Sequence, residues 1–140
     1  MKLRWKDDLT LKENLREELP RLAKEFFQTG RNASGSKSSW KQLHKFRLAG
    51  KEFRYTLELF RPVYGKELEE RLDSLRKLQR YLGEMNDCVA GLNLLKHVDG
   101  PAKVIQGLKR QRNSRLAAFQ RYWRKFEREE ASWVKYLAAP

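Results

Sequence analysis

Apolar side chains return along this chain every third or fourth residue and never in sustained alternation, so the chain reads as helix throughout. Leu11, Leu15, Leu19, Leu22 and Phe26 form the first stripe and predict a helix over about 8–27. Acidic residues in its first turn suit a helix start, and Pro20 is a point of kinking. The small, polar, glycine-containing run 29–38 predicts a flexible connector, with Ser38 or Ser39 placed to cap the next helix. That second helix is expected from Trp40 to about Arg61, stopped by Pro62 and succeeded by a turn at 63–65.

A third helix starts near Lys66 on the stripe Leu68, Leu72, Leu75, Leu78 and Leu82. Gly83 is expected to end it, and Asp87 to cap a short fourth helix reaching about His97. After Gly100 and Pro101, apolar positions from Val104 to Leu137 keep the helical period, giving one long helix or two abutting ones. The fold class is therefore all-α: an antiparallel bundle of about four to five helices, in one domain spanning 1–140. No internal repeat is evident.

Composition adds a strong field to this scaffold. Against 18 Asp and Glu stand 31 Lys and Arg, a formal charge of +13. Such a balance attracts polyanions, whether phosphate polymers, nucleic acid or an anionic membrane surface. No stretch approaches the ~20 apolar residues of a membrane span. Cys88 is the one cysteine, which forbids an internal disulfide and fits a small core residue; with no apolar leader at the start, the expected compartment is a reducing cytoplasm.

The second helix concentrates this charge. At about 100° per residue, Phe46, Ala49, Gly50, Phe53, Leu57 and Phe60 gather on one side, and His44, Arg47, Lys51, Arg54 and Tyr55 on the other. Lys41 and Lys45 add charge at the same end. The plain alternative is an ordinary solvated face, but such faces mix Glu with Lys at i, i+4, and here only Glu58 answers the row, at its far end. In the last helix Arg112 and Arg115 project onto the arc of Leu108, Leu116 and Phe119, which predicts that they point toward the bundle interior; a buried guanidinium needs a carboxylate, an exit to the edge, or a wet cavity holding an anion.

Catalytic signatures are missing. Residues 30–38 only faintly resemble a phosphate-binding loop, with the lysine displaced and a helix in place of the preceding strand. His44, His97 and Cys88 lack metal-ligand spacing, and the adjacent acidic pairs on helices diverge instead of converging as a dyad. No enzyme, cofactor or metal is expected.

The run 43–60, from Leu43-His44 through Lys51-Glu52-Phe53-Arg54-Tyr55 to Phe60, with Tyr64-Gly65 after it, resembles the CHAD family, the conserved histidine α-helical domain. Leu75, Leu78-Gln79, Leu82-Gly83 and Asn86-Asp87 match its second signature, and the two together cover about a third of the chain. The resemblance implies a helical bundle that binds inorganic polyphosphate without being an enzyme, next to a polyphosphate-metabolising enzyme or on polyphosphate granules. By position it gives His44, Arg47, Lys51 and Arg54 the basic roles, Tyr55 the aromatic place, and Gln79, Asn86 and Asp87 the polar supports.

Two departures stand out. Glu52 occupies a position where the family commonly has a basic residue. The family also usually carries two bundles in tandem, and this chain resembles only the second, so a homodimer is expected to supply the missing half. A rival reading is a nucleic-acid-binding basic module, with Trp40, Tyr55 and Tyr81 available to stack on bases; nucleic acid is expected to be the weaker competitor. A phosphohydrolase or kinase would need metal-holding carboxylates, and the broad apolar faces are expected to be consumed by mutual packing rather than by a membrane.

Overall fold

Two reciprocal caps set where the chain first coils. In a computed structural model describing residues 1–35 and 37–140, the Thr10 hydroxyl accepts from the Glu13 amide while the Glu13 carboxylate accepts from the Thr10 amide, opening α1 (Leu11–Ser34). Ser39 and Gln42 repeat the exchange for α2 (Trp40–Leu59). Next come α3 (Arg61–Tyr64), α4 (Glu67–His97), α5 (Ala102–Glu127) and α6 (Glu130–Leu137), with no strand among the described residues.

The all-α bundle matches the expected fold, but three boundaries differ. α1 runs through most of the predicted connector because Gly30 and Ala33 are buried on its inner face, and that packing outweighs the weak helix propensity of the segment. Of the remaining connector, Gly35, Lys37 and Ser38 lie outside helix, and Ser36 lies outside the described residues. α4 passes through Gly83 and Asp87 without a break, since Leu82, Met85 and Cys88 carry the buried stripe across the glycine and Asp87 merely faces outward. α2 stops at Leu59, and the turn before Gly65 is a helix of its own.

The core is aromatic. Phe26 of α1 stacks on Phe53 with ring centroids 4.9 Å apart, lies 5.1 Å from Phe46, and meets Trp123 of α5 edge-on. Phe27, Phe119, Phe126 and Trp133 extend this cluster, bringing α1, α2, α5 and α6 to one centre. Gly30 lets α1 close on Trp123, because a Cβ there would lie 2.1 Å from the indole Cη2. α4 lies antiparallel to both α2 and α5, as shown by the pairs Glu58–Arg76 and Arg47–Asn86 on one side and Glu84–Arg115 and Ser74–Tyr122 on the other. Tyr64 fastens α6 by donating to the Leu137 carbonyl at 2.7 Å.

The N-terminal segment is strapped onto α1 by two buried polar side chains. Asn14 accepts from the Lys6 amide and donates to the carbonyls of Lys6, Leu9 and Thr10. Glu18 accepts from the Arg4 amide at 2.9 Å and pairs with Arg21. The Arg21 guanidinium, helped by the Arg4 amide, holds the Glu18 carboxyl below its ordinary range against the opposing effect of burial.

Substitutions at two glycines and at Glu18 test this packing. Gly30→Ala should cost about 1–3 kcal/mol by overpacking against Trp123. Gly50→Ala, whose new methyl would sit 3.6 Å from Phe26, should be neutral or stabilising by up to about 1 kcal/mol; urea denaturation reads both. Glu18→Gln should cost about 1–3 kcal/mol at neutral pH, since the wild-type carboxylate is hydrogen-bonded while ionised. A carboxyl with a lowered folded pKa stabilises above the ordinary carboxylate range and loses that contribution as pH falls through its folded value, so the gap between Glu18→Gln and wild type should narrow in acid.

Candidate anion-binding groove

With Phe46, Gly50, Phe53 and Leu57 turned into the core, α2 presents the next sector of its surface to the seam with α4. Arg47, Lys51 and Arg54 are half-buried along that seam, whereas His44, Lys41 and Lys45 stand exposed at the N-terminal end of the row. Tyr55 is 55% exposed, with the Arg54 guanidinium 4.9 Å from its ring centre. Among the described residues Lys41, His44, Lys45, Arg47 and Lys51 have no ion-pair partner.

The far end of the row is different. Glu58 takes Arg54 at 3.0 Å and, from the opposite helix, Arg76 at 3.3 Å. One carboxylate thus ties α2 to α4 and answers two guanidinium groups. The Arg54 Nε and the Gln79 Nε2 remain buried with no hydrogen-bond acceptor among the described residues. Gln79 packs against Gly50 of α2, where a Cβ would lie 3.9 Å from its Cγ, an ordinary contact.

Between the row and α4 lies a notch where His44 and Arg47 converge with Asn86, floored by Leu43, Leu82 and Met85. Its volume is about 20 Å³, room for about one water or one ligand oxygen. Among the described residues the α2–α4 seam is open, with a notch about the size of one atom and no enclosed channel. This replaces the expected inward-facing cavity with a surface track.

Placement of the other expected residues is mixed. Asn86 lines the notch and Gln79 the seam, but Asp87 is exposed on the outer side of α4 and does not line the notch. Glu52 is exposed and accepts from the Met1 amino group at 3.1 Å. Arg112 and Arg115 do not point into the interior. The Arg115 side chain is 48% exposed and pairs with Glu84 of α4 at 3.3 Å. Arg112 lies 5.3 Å over the Trp40 ring and donates to the neighbouring Asn113. Both have taken the edge, because at their level the inner arc of α5 is filled by Leu108, Leu116 and Phe119, and a solvated guanidinium is far cheaper than a buried one.

Arg76 is the groove residue that sequence reasoning missed. Its signal is its spacing from Gln79, Gly83 and Asn86, which puts it on the face of α4 that meets α2.

Fold and groove together define a helical bundle with a seam between antiparallel helices that is basic except at its Glu58 end. The chain belongs to the CHAD family: the CHAD domain profile matches residues 3–96, from the N-terminal strap through nearly all of α4. No curated protein and no solved structure matches the chain. None of the described helices is long and apolar enough to cross a membrane.

Glu58→Gln should unmask Arg54 and leave Arg76 with Asp73 as its one remaining partner among the described residues. In phosphate-free buffer this variant should melt below wild type, and added inorganic phosphate should raise its melting temperature more than that of wild type; equal responses to phosphate would show that Glu58 does not compete with an anion.

Proposed function

We propose that the protein binds inorganic polyphosphate along the α2–α4 seam and does not turn it over. The observation carrying this reading is the row His44, Arg47 and Lys51, one sign of charge at helical spacing with no carboxylate partner among the described residues. Beside it, the buried Gln79 Nε2 and Arg54 Nε retain donor capacity. Like charges so arranged repel one another until an anion neutralises them, and polyphosphate brings about one charge per phosphate without bases that need stacking. Membership of the CHAD family supports the same ligand.

The roles divide by geometry. Arg47 offers a forked contact at the notch, where Asn86 can hold the same oxygen, and Lys51 acts as a point charge in mid-seam. His44, Lys41 and Lys45 meet the polymer at the exposed end, while Arg112 reaches that end across Trp40. The protein acts in the cytoplasm and on polyphosphate granules, beside a polyphosphate-metabolising enzyme. Because the seam is open on one side, a second copy facing it would complete a channel, and a homodimer is the natural form.

Nucleic acid is the weaker competitor. Trp40, the aromatic side chain nearest the notch, already has Arg112 over its ring and has less face to give a base.

Labelled polyphosphate titrated at fixed salt tests this reading. Arg47→Ala and Lys51→Ala should each weaken binding by about tenfold and each lower the slope of log affinity against log salt by about one. Unlabelled polyphosphate should displace single-stranded DNA far more readily than the reverse, and no phosphate should be released; the opposite ranking overturns the assignment. Light scattering should give a dimer, and a strictly monomeric protein that binds as tightly removes the pairing.

A further inference from the structure

A second basic surface lies on the other side of α4, where that helix meets α5, and the row on α2 takes no part in it. There Lys77 faces Arg121, Arg124, Lys125 and Arg128 across an open cleft of about 530 Å³. All five are exposed, and none has an ion-pair partner among the described residues. Among the described residues no carboxylate lines the cleft, although Glu129 lies close enough to Tyr122 at its floor to act on that phenol.

Two ordinary explanations account for only part of this. Cations in the last turn of a helix complement its dipole, which covers Arg124, Lys125 and Arg128 but neither Arg121, nearly two turns from the end, nor Lys77 on the other helix. A generic solvated surface would alternate signs at i, i+4, as α4 does elsewhere; here 121, 124 and 125 on one face of α5 and its C-cap Arg128 repeat one sign.

The floor of the cleft helps select the ligand. Tyr122 donates to the Ser74 carbonyl at 2.9 Å, packs 5.2 Å from Tyr81, and carries the Lys77 ammonium 5.4 Å from its ring centre. Its ring is committed to protein contacts and offers little to a nucleobase, while the cations above it remain unneutralised. A flexible chain of phosphates without bases fits that combination better than nucleic acid does.

The geometry points to a second polyphosphate seat in the α4–α5 cleft, formed by Lys77, Arg121, Arg124, Lys125 and Arg128, so that one chain holds two polymer segments on opposite sides of α4. The identity of the polymer rests on the function proposed for the seam; the existence of the seat does not.

Calorimetry with a linear polyphosphate too short to reach from one seat to the other tests it. The probes are wild type, the cleft variant Arg121→Gln/Arg124→Gln/Arg128→Gln, and the seam variant Arg47→Ala/Lys51→Ala, each checked for wild-type helicity by circular dichroism. Wild type should bind two equivalents per chain and each variant one. A cleft variant with wild-type stoichiometry and affinity overturns the second seat. If wild type binds one equivalent that the cleft variant loses and the seam variant keeps, the seat stands and the reading of the seam fails. A single-stranded DNA oligonucleotide of equal charge that outcompetes polyphosphate for the seam variant overturns the choice of ligand.

Discussion

The contact on which the rest of the structure depends is the meeting of Phe26 with Phe46 and Phe53 on one side and Trp123 on the other. Each such aromatic pair adds about 0.5–1.5 kcal/mol beyond simple burial, and the geometry is directional, so the cluster fixes the rotation of α2 about its own axis as well as its distance from α1. That rotation places the basic row. With Phe46 and Phe53 locked inward, Arg47, Lys51 and Arg54 have only the seam with α4 to occupy. The core therefore holds together what mutual repulsion of the row would separate.

α4 is the second organising element because it serves two neighbours at once. Its leucine stripe is buried in the bundle, its Arg76, Gln79 and Asn86 face α2, and its Lys77 and Tyr81 face α5. An interruption at Gly83 would have separated these surfaces into two independently oriented pieces. Continuity through the glycine keeps them in fixed register, at a cost of about 1 kcal/mol in helix propensity that burial of Leu82 and Met85 offsets.

Much of the fold was legible in the sequence because apolar period reports directly on which side of a helix is buried. The cap at Ser39 and the split of the last element into α5 and α6 were also within reach of local rules. Local rules failed where tertiary packing overrode them: Gly30 and Gly83 resemble helix breakers, yet one is the slot for Trp123 and the other an ordinary point on a buried rod. The row on α2 was legible as a pattern of sign, but its far end was only half visible. Glu58 could be seen beside Arg54 at i+4, whereas Arg76 becomes its second partner only through the register of two antiparallel helices. Arg112 and Arg115 were misplaced for a related reason. A helical projection gives an angle about one axis and says nothing about where along that axis a neighbour stops filling the arc.

The shared carboxylate at Glu58 gives the seam a direction. At the Trp40 end Lys41, His44, Lys45 and Arg47 present an unopposed field, and by Arg54 that field is already partly cancelled. An anionic strand bound along α2 as proposed would be held most firmly near the notch and least where α2 gives way to α3. On the binding mode proposed for the seam, the loose end of such a strand would lie toward Arg61 and Pro62, and a longer strand would peel away from that end first.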